Sequence, residues 1–393
     1  MLALVYGLAR SGRAAAERLQ ERGDEVVLVD RSLGNEDELP LLDGVDLVVK
    51  SPGVPGEAPL VAEARRRGVP VWSEVELGFT LLAPAGTRLV GVTGTNGKTT
   101  TSELLGAIFR AAGRDVTVAG NVGAPLTGVR AADWVVCELS SFQLEDVHEL
   151  ACDVAVILNL EPDHLDRHGT FEAYRAAKLR ILERARAAVV PKGLALDGAR
   201  RPERLAEFAA ADPLPAEPLL RGVHNRENAA AATAAARLAG IADEHIATAL
   251  TSFAGVPHRL ELVAERDGVR FVNDSKATNV AAARRALAAY EDEPVRLILG
   301  GSLKGEDFGV LRGAVGANVR SIHLIGEAAD ELAAALSPAA VERDGTLEQA
   351  VAHASRLAGP GDVILLSPAC ASFDQFRDFE DRGEEFRRLA TRT

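Results

Sequence analysis

Cysteine is scarce in this chain. Only Cys137, Cys152 and Cys370 occur in 393 residues, with no C-x-x-C spacing. That excludes a disulfide framework and a zinc knuckle. Positive charge is in deficit as well: 44 Lys and Arg against 57 Asp and Glu leave a formal net charge of −13. Such a balance argues against general affinity for nucleic acid or an anionic membrane, while leaving room for a local basic pocket. No apolar run approaches the ~20 residues needed to span a bilayer. No basic-then-apolar leader opens the chain, since Met1 runs straight into a strand-like segment. These absences predict a cytoplasmic protein that binds neither nucleic acid nor a membrane. Hydrophobic residues make up 47% and charged residues 26%, a globular composition, and the length predicts two or three domains.

The most informative segment that is present runs from Leu89 to Ser102. An apolar strand, Leu89–Val92, feeds Gly94-Thr95-Asn96-Gly97-Lys98-Thr99-Thr100 and then an amphipathic helix. Glycines let successive N–H groups converge on phosphate oxygens at the positive end of the following helix. Lys98 is placed to reach β- and γ-phosphates, and the Thr99 hydroxyl to meet Mg²⁺. The spacing is Gly94-x-x-Gly97-Lys98, because the first glycine of a strict G-x-x-x-x-G-K-T would fall at Val92.

Upstream, Leu2–Tyr6, Glu25–Val29 and Val45–Val49 read as strands and Ser11–Arg22 as a helix. The turn Gly7-Leu8-Ala9-Arg10-Ser11-Gly12 and Asp30 outline a dinucleotide fingerprint, but Ala9 stands where its middle glycine belongs. Ser51-Pro52-Gly53 ends the third strand, another ligand-loop position. Ala83-Pro84-Ala85-Gly86 reads as a linker. Beyond it, strands Trp134–Glu138, Val154–Leu158 and Ala187–Val190 alternate with helices Thr170–Arg186 and Arg226–Ala239, predicting a largely parallel sheet. Residues 191–218 carry no assignable pattern. A third unit begins near Val256, with strands Phe271–Asn273, Arg296–Leu299, Ser321–Ile325 and Val363–Leu366. The fold class is therefore α/β, built of doubly wound sheets.

Several strand ends carry chemistry. Glu138, in Cys137-Glu138-Leu139-Ser140-Ser141, offers a carboxylate suited to Mg²⁺. His164-x-x-x-His168 has the helical spacing of a zinc pair, but no third soft ligand follows, and the acidic neighbours favour magnesium or a nucleotide. Lys178, taken alone, is a solvated helix lysine. Asn225 and Asn228 open an alanine-rich helix, where one can cap and one can meet adenine. In the third unit, Asn273-Asp274-Ser275-Lys276-Ala277-Thr278, Gly300-Gly301-Ser302-Leu303-Lys304 and Ser367-Pro368-Ala369-Cys370-Ala371-Ser372-Phe373 suit a small anion. Cys370 has no paired histidine in view, and packing is its better reading.

The order of Gly94–Thr100, Glu138–Leu144, Asp163–Asp166, Tyr174–Lys178, His224–Asn228, Asn273–Asn279 and Ser367–Ser372 resembles the Mur ligases over nearly the whole chain. The last two motifs resemble the branch that joins D-glutamate to UDP-N-acetylmuramoyl-L-alanine through an acyl phosphate, in peptidoglycan precursor synthesis. The resemblance implies three domains. Residues 1–86 form a Rossmann-like UDP-binding domain, 87–256 a central P-loop ATPase-type parallel-sheet domain, and 257–393 a Rossmann-like amino-acid-binding domain. It implies ATP bound by Gly94, Thr95, Asn96, Gly97, Lys98, Thr99, Thr100, Asn228, Arg259 and Asp274. Two Mg²⁺ ions are implied, with Thr99, Glu138, His164 and a carbamylated Lys178 as ligands, and Lys98, Glu138, His164 and Lys178 as the catalytic set. The UDP substrate would meet Leu8, Ala9, Arg10, Asp30, Arg31, Ser51, Gly53, Asn121 and Ser140. D-glutamate would meet Lys276, Thr278, Lys304, Ser372, Phe373 and Phe379. A monomer is expected.

Two departures from the family pattern stand out. Ser302 occupies a position where an acidic residue is expected, and the family's arginine often follows one residue later than Arg31 does here. Rival readings are another amide ligase of the superfamily, with a different amino acid or of the folylpolyglutamate synthase type, or a regulatory phosphate-loop ATPase. A dehydrogenase would rest on Gly7–Gly12 and Asp30 alone.

Overall fold

The computed structural model describes residues 1–392 apart from Arg221, Lys304 and the side chain of Asp166. The chain divides into two compact units, Met1–Phe253 and Ala254–Thr393. The first unit contains two sheets. One is built from β1 (Leu2–Tyr6), β2 (Glu25–Val29), β3 (Leu47–Lys50) and β4 (Val71–Ser73), in the order β2-β1-β3-β4 and parallel throughout. The other uses β5 (Arg88–Thr93), β6 (Val116–Gly120), β7 (Trp134–Glu138), β8 (Val154–Ile157), β9 (Ala187–Pro191) and β10 (Arg204–Phe208). Its order is β10-β9-β8-β5-β7-β6, again all parallel. Val90, Val136, Val156 and Val189 are fully buried, as strands covered by helices on both faces require.

Strand β5 lies between β8 and β7, so the connections leaving it on either side diverge. Open α/β sheets place ligands in that crevice, beyond the strand C-termini. The phosphate loop, the end of β7 and the end of β8 all open there.

Ala83–Ala85 is not an extended linker. It forms a 3-10 turn closed by Gly86 in the left-handed region, inside the first unit. The two sheets are tied together by buried polar contacts. Glu74 accepts from Thr127 N and Oγ1, both at 2.7 Å, and Glu76 accepts from the amides of Glu149 and Leu150. The buried Lys50 ammonium lies 3.0 Å from Asp146 and 3.4 Å from Glu145. The helix expected over 170–186 ends at Leu179 and passes into a 3-10 turn, because the chain must bend towards β9.

In the second unit, β11 (Glu261–Arg266), β12 (Val269–Asn273), β13 (Val295–Gly300), β14 (Val319–Ile325), β15 (Glu342–Gly345) and β16 (Val363–Leu366) form one sheet. Its order is β11-β12-β16-β13-β14-β15, with only β11 antiparallel to its neighbour. The loops after β12, β13 and β16 leave adjacent strand ends. Among the described residues no helix is long and apolar enough to cross a membrane.

Candidate active site

Gly94 and Gly97 have φ of 154° and 83°, values that bend the loop after β5 towards the helix Lys98–Ala111. Gly97 is the N-cap and provides no side-chain cap, so the first-turn amides of that helix remain available to an anion. The loop is held from beneath by Asn159. The amide of Asn96 donates to Asn159 Oδ1 at 2.7 Å, and the amide of Thr95 donates to the Asn159 carbonyl at 3.0 Å. Thr95 Oγ1 also lies 3.0 Å from the Tyr174 hydroxyl. Thr99 and Thr100 are buried at the start of the helix, and Asn228 packs against Gly97. Neither Asn225 nor Asn228 caps its helix; Gly222 holds that position without a side-chain bond.

Lys98 Nζ donates to the carbonyls of Gly94 and Thr95 at 2.9 and 3.0 Å. Lys178 is not a solvated helix lysine. It is 2% exposed, and its Nζ donates to the Gly94 carbonyl at 2.8 Å while standing 4.8 Å over the Tyr174 ring. Burial, then the charge of Lys98, pushes its pKa down to about 7. The sequence hides this environment because it is built from strand ends distant along the chain.

Glu138, at the end of β7, is 2% exposed. Its Oε1 accepts from Asn121 Nδ2 at 3.0 Å, while its buried Oε2 has no hydrogen-bond partner among the described residues. A buried carboxylate oxygen without a donor is costly unless a cation or water meets it. His164 caps the short helix Leu165–His168 at φ 50°, its side chain 49% exposed and its ring 4.9 Å from that of Phe142. Glu138 thus ends β7, Thr99 lies in the first turn of the helix after the phosphate loop, Lys178 reaches that loop from the helix Phe171–Leu179, and His164 stands in the connection after β8. A carboxylate, an imidazole and a hydroxyl fit a divalent cation held partly by phosphate and water.

In the first sheet, the fingerprint turn is closed by its own polar groups. Asp30 accepts from Leu8 N at 2.6 Å and from Ser32 N and Oγ at 2.9 and 2.6 Å, and the Leu8 amide bond leads the causes that hold its carboxyl down at about 2. Ser51 Oγ donates to the Gly7 carbonyl at 2.7 Å. Ala9 and Arg10 are exposed at the start of the helix Arg10–Glu21, whose N-cap makes no side-chain bond; Arg31 and Gly53 are exposed nearby. Arg167 donates to the carbonyls of Pro52 and Val54 at 2.9 and 2.7 Å and stacks on Phe142, joining the Ser51–Gly53 loop to the His164 loop. Ser140 uses its side chain in a capping box with Gln143.

The second unit gathers another set. Asp274 accepts from Ser367 Oγ at 2.7 Å and from Leu260 N at 3.2 Å, and burial raises its pKa to about 7 against the opposing charge of Arg259. Lys276 Nζ lies 5.6 Å over the Phe379 ring, and the Thr278 amide donates to the Lys276 carbonyl. Ser372 is buried, Phe373 is 71% exposed and Phe379 half-buried. Lys304 lies outside the described residues.

Two family models match the chain: the Mur ligase middle domain over residues 92–195 and the Mur ligase glutamate ligase domain over residues 258–370. The UDP-N-acetylmuramoylalanine–D-glutamate ligase of Anaeromyxobacter dehalogenans is 44% identical, covering 98% of this chain and 96% of that protein. The chain belongs to the Mur ligase family. The Sphingopyxis alaskensis protein of the same name is 42% identical, with 98% and 95% covered. The fold is shared with the solved UDP-N-acetylmuramate–alanine ligase of Thermotoga maritima, at TM-score 0.61 and 18% identity, covering 98% of this chain and 97% of that one.

In this Mur ligase a highly connected residue of the second unit is one that the sequence does not single out. Arg382 is 1% exposed. Its guanidinium donates to Ser275 Oγ and O at 2.9 Å, to the Cys370 and Ala371 carbonyls at 3.1 Å and to Gly300 O at 3.4 Å. One side chain therefore holds all three strand-end loops. Burial lowers its pKa to about 10, which still leaves it cationic at neutral pH. The acid missing at Ser302 is met from the facing loop: Ser302 Oγ accepts from the Asp374 amide at 2.8 Å and donates to Asp374 Oδ1 at 3.3 Å. Cys370 is a packed residue of the core, consistent with the sequence reading.

Proposed function

We propose that this Mur ligase joins D-glutamate to UDP-N-acetylmuramoyl-L-alanine at the expense of ATP, in the cytoplasm and as a monomer, making a peptidoglycan precursor. The specificity rests on full-length identity of 40–44% to bacterial proteins named for that activity. The observation that carries the chemistry is the phosphate loop flanked by Lys98, the buried Lys178 and the unpaired oxygen of Glu138.

Residues 1–86 would bind the UDP substrate through Leu8, Ala9, Arg10, Asp30, Arg31, Ser51 and Gly53, with Asn121 and Ser140 from the neighbouring sheet. Residues 87–256 would bind ATP through 94–100 and Asn228, aided by Arg259 and Asp274. Residues 257–393 would hold D-glutamate through Lys276, Thr278, Lys304, Ser372, Phe373 and Phe379. Thr99, Glu138, His164 and a carbamate on Lys178 would hold two Mg²⁺ ions, which neutralise phosphate charge when bound. Glu138 has a buried oxygen that such a cation would satisfy. A lysine titrating near 7 is substantially uncharged at neutral pH, and only the neutral amine adds CO₂.

The chemistry follows from the substrates. A carboxylate is a poor acyl donor, so the γ-phosphoryl group of ATP passes to the terminal L-alanyl carboxylate. Lys98 offsets the charge that spreads over the transferred oxygens. The amine of D-glutamate then attacks the acyl phosphate, releasing phosphate and forming the amide. Lys276 offers a cation for a glutamate carboxylate, and the Phe379 ring beneath it limits its swing.

The deciding experiment is phosphate release with ATP, Mg²⁺ and UDP-N-acetylmuramoyl-L-alanine across D-glutamate, L-glutamate, L-alanine, L-lysine and meso-diaminopimelate. Release with D-glutamate alone is expected. Release with another amino acid would keep the ligase and overturn the specificity. Silence with all of them would overturn both.

A further inference from the structure

At the far edge of the second unit's sheet, two imidazoles and a carboxylate meet that the ligase reading does not use. His323 comes from β14, Asp344 from β15 and His353 from the helix Leu347–Leu357. His323 Nδ1 is 2.7 Å from Asp344 Oδ2, and His353 Nδ1 is 2.8 Å from Asp344 Oδ1. All three ligand atoms lie within 4.8 Å of one another, and the two rings meet edge to face. The His323 side chain has no exposure, whereas those of Asp344 and His353 keep 10% and 27%. The cluster therefore opens to solvent on the His353 side.

We propose that His323, Asp344 and His353 form a binding site for a late first-row divalent cation, Zn²⁺ foremost, which clips the edge strand β15 to β14 and to the helix Leu347–Leu357. The proposal is independent of the ligase reading. Two imidazole nitrogens and one carboxylate oxygen, without sulfur, suit Zn²⁺ and its neighbours, whereas Mg²⁺ and Ca²⁺ prefer shells of oxygen. Three protein ligands leave a position for water, and the solvent-facing mouth supplies it.

An outer contact is already in place. Ser321 Oγ lies 2.9 Å from His323 Nε2, and Arg296 Nη1 lies 3.4 Å from the same oxygen. A ring that ligates through Nδ1 carries its proton on Nε2, and that proton points at Ser321. Such a partner fixes the tautomer and orientation of a ligating histidine. Tetrahedral ligand atoms around zinc stand about 3.3 Å apart. The carboxylate must therefore back away slightly from each ring, and the partly exposed His353 is the member with room to move.

The clip would act where the sheet is weakest. β15 is four residues long, lies at the edge, and shifts register against β14 between Leu324 and Ile325. The next residue, Gly345, accepts from the Gly326 amide at 3.0 Å and from Gln375 Nε2 at 2.8 Å, which ties this corner to the loop bearing Ser372.

The test uses the full-length protein in excess Mg²⁺, which occupies the oxygen-rich ligase sites and competes poorly for a site with two imidazoles. Co²⁺ is titrated in and followed by its visible ligand-field bands, Zn²⁺ is used to displace it, and the thermal midpoint is read with and without Zn²⁺. One Co²⁺ per chain, displaced by Zn²⁺, and a zinc-dependent rise in midpoint are expected for the parent. Both should vanish in His353→Ala and in His353→Gln, whose amide still donates to Asp344 but ligates poorly, with phosphate release unchanged. Ser321→Ala should weaken the apparent affinity about 10–100-fold. No Co²⁺ binding by the parent, or equal binding by the His353 variants, would overturn the site and leave a hydrogen-bonded triad.

Discussion

Lys98 and Lys178 donate to the same carbonyl oxygen, that of Gly94, at 2.9 and 2.8 Å. Two ammonium groups sharing one acceptor disfavour each other's charge, and the buried member yields. On the proposed function, Lys98 would then meet the phosphates and Lys178 would supply the neutral amine. Lys98→Ala should lower phosphate release about 10²–10³-fold, the usual loss for one preorganised electrostatic contact. Steady-state assay measures this, and an unchanged rate would remove Lys98 from the transfer. Lys178→Ala should be inactive and regain part of its rate with added formate or acetate; no rescue would leave the carbamate without support.

The depressed pKa of Lys178 has a definite sign in a pH profile. Below about 7 the amine is protonated in folded and unfolded chains alike. From about 7 up to the ordinary lysine value of 10.5 the unfolded chain holds a proton that the folded chain has lost, so this group makes stability rise with pH across that window. Asp274 behaves oppositely. Its pKa rises from 3.8 to about 7, so its contribution is full below 3.8 and is lost as pH climbs through 7. Urea midpoints of parent and Asp274→Asn should separate as pH rises from 5 to 8, with the variant the more stable at the upper end. A constant separation would show that Asp274 ionises normally.

The sites that were readable in advance are those whose residues are contiguous. Gly94–Thr100 carries glycines, lysine and threonines in one stretch, and the strand before it is a short apolar run bounded by turn residues. The burial of Lys178 was not readable, because Thr93 and Gly94, at the end of β5, close over it from a distant part of the chain while Tyr174 of its own helix covers the other side. Arg382 was equally hidden: Phe379-Glu-Asp-Arg-Gly-Glu-Glu reads as a solvated helix face, yet its arginine points inward to carbonyls from three loops. β10 and β15 escaped notice because edge strands rich in charge lack the apolar signal that marks buried ones.

Gly97 offers a sharper test of the phosphate loop. Its φ is 83°, and a Cβ there would stand 2.2 Å from Asn228 Oδ1. Gly97→Ala must strain the backbone, displace Asn228, or both. A strain of about 1–3 kcal/mol, relieved only in the unbound loop, corresponds to a loss of roughly 5- to 150-fold in ATP affinity. Equilibrium binding of ATP by the variant measures it. Undiminished affinity would mean that the loop does not carry the nucleotide.

Arg382 should be a residue whose loss harms the second unit before it harms chemistry. Its planar guanidinium reaches Ser275, Gly300, Cys370 and Ala371, and a lysine cannot serve that spread of acceptors from one nitrogen. Arg382→Met fills much of the volume but leaves buried carbonyls without donors, at about 1–3 kcal/mol for each left unsatisfied. The variant should unfold at lower urea by at least ~3 kcal/mol on that basis. Arg382→Lys should recover only part of the deficit. Whatever folded Arg382→Met remains should show a raised KM for D-glutamate, since Arg382 holds the Ser275 and Ser372 loops. A variant as stable as the parent, with an unchanged KM for D-glutamate, would show that the loops hold their positions without it.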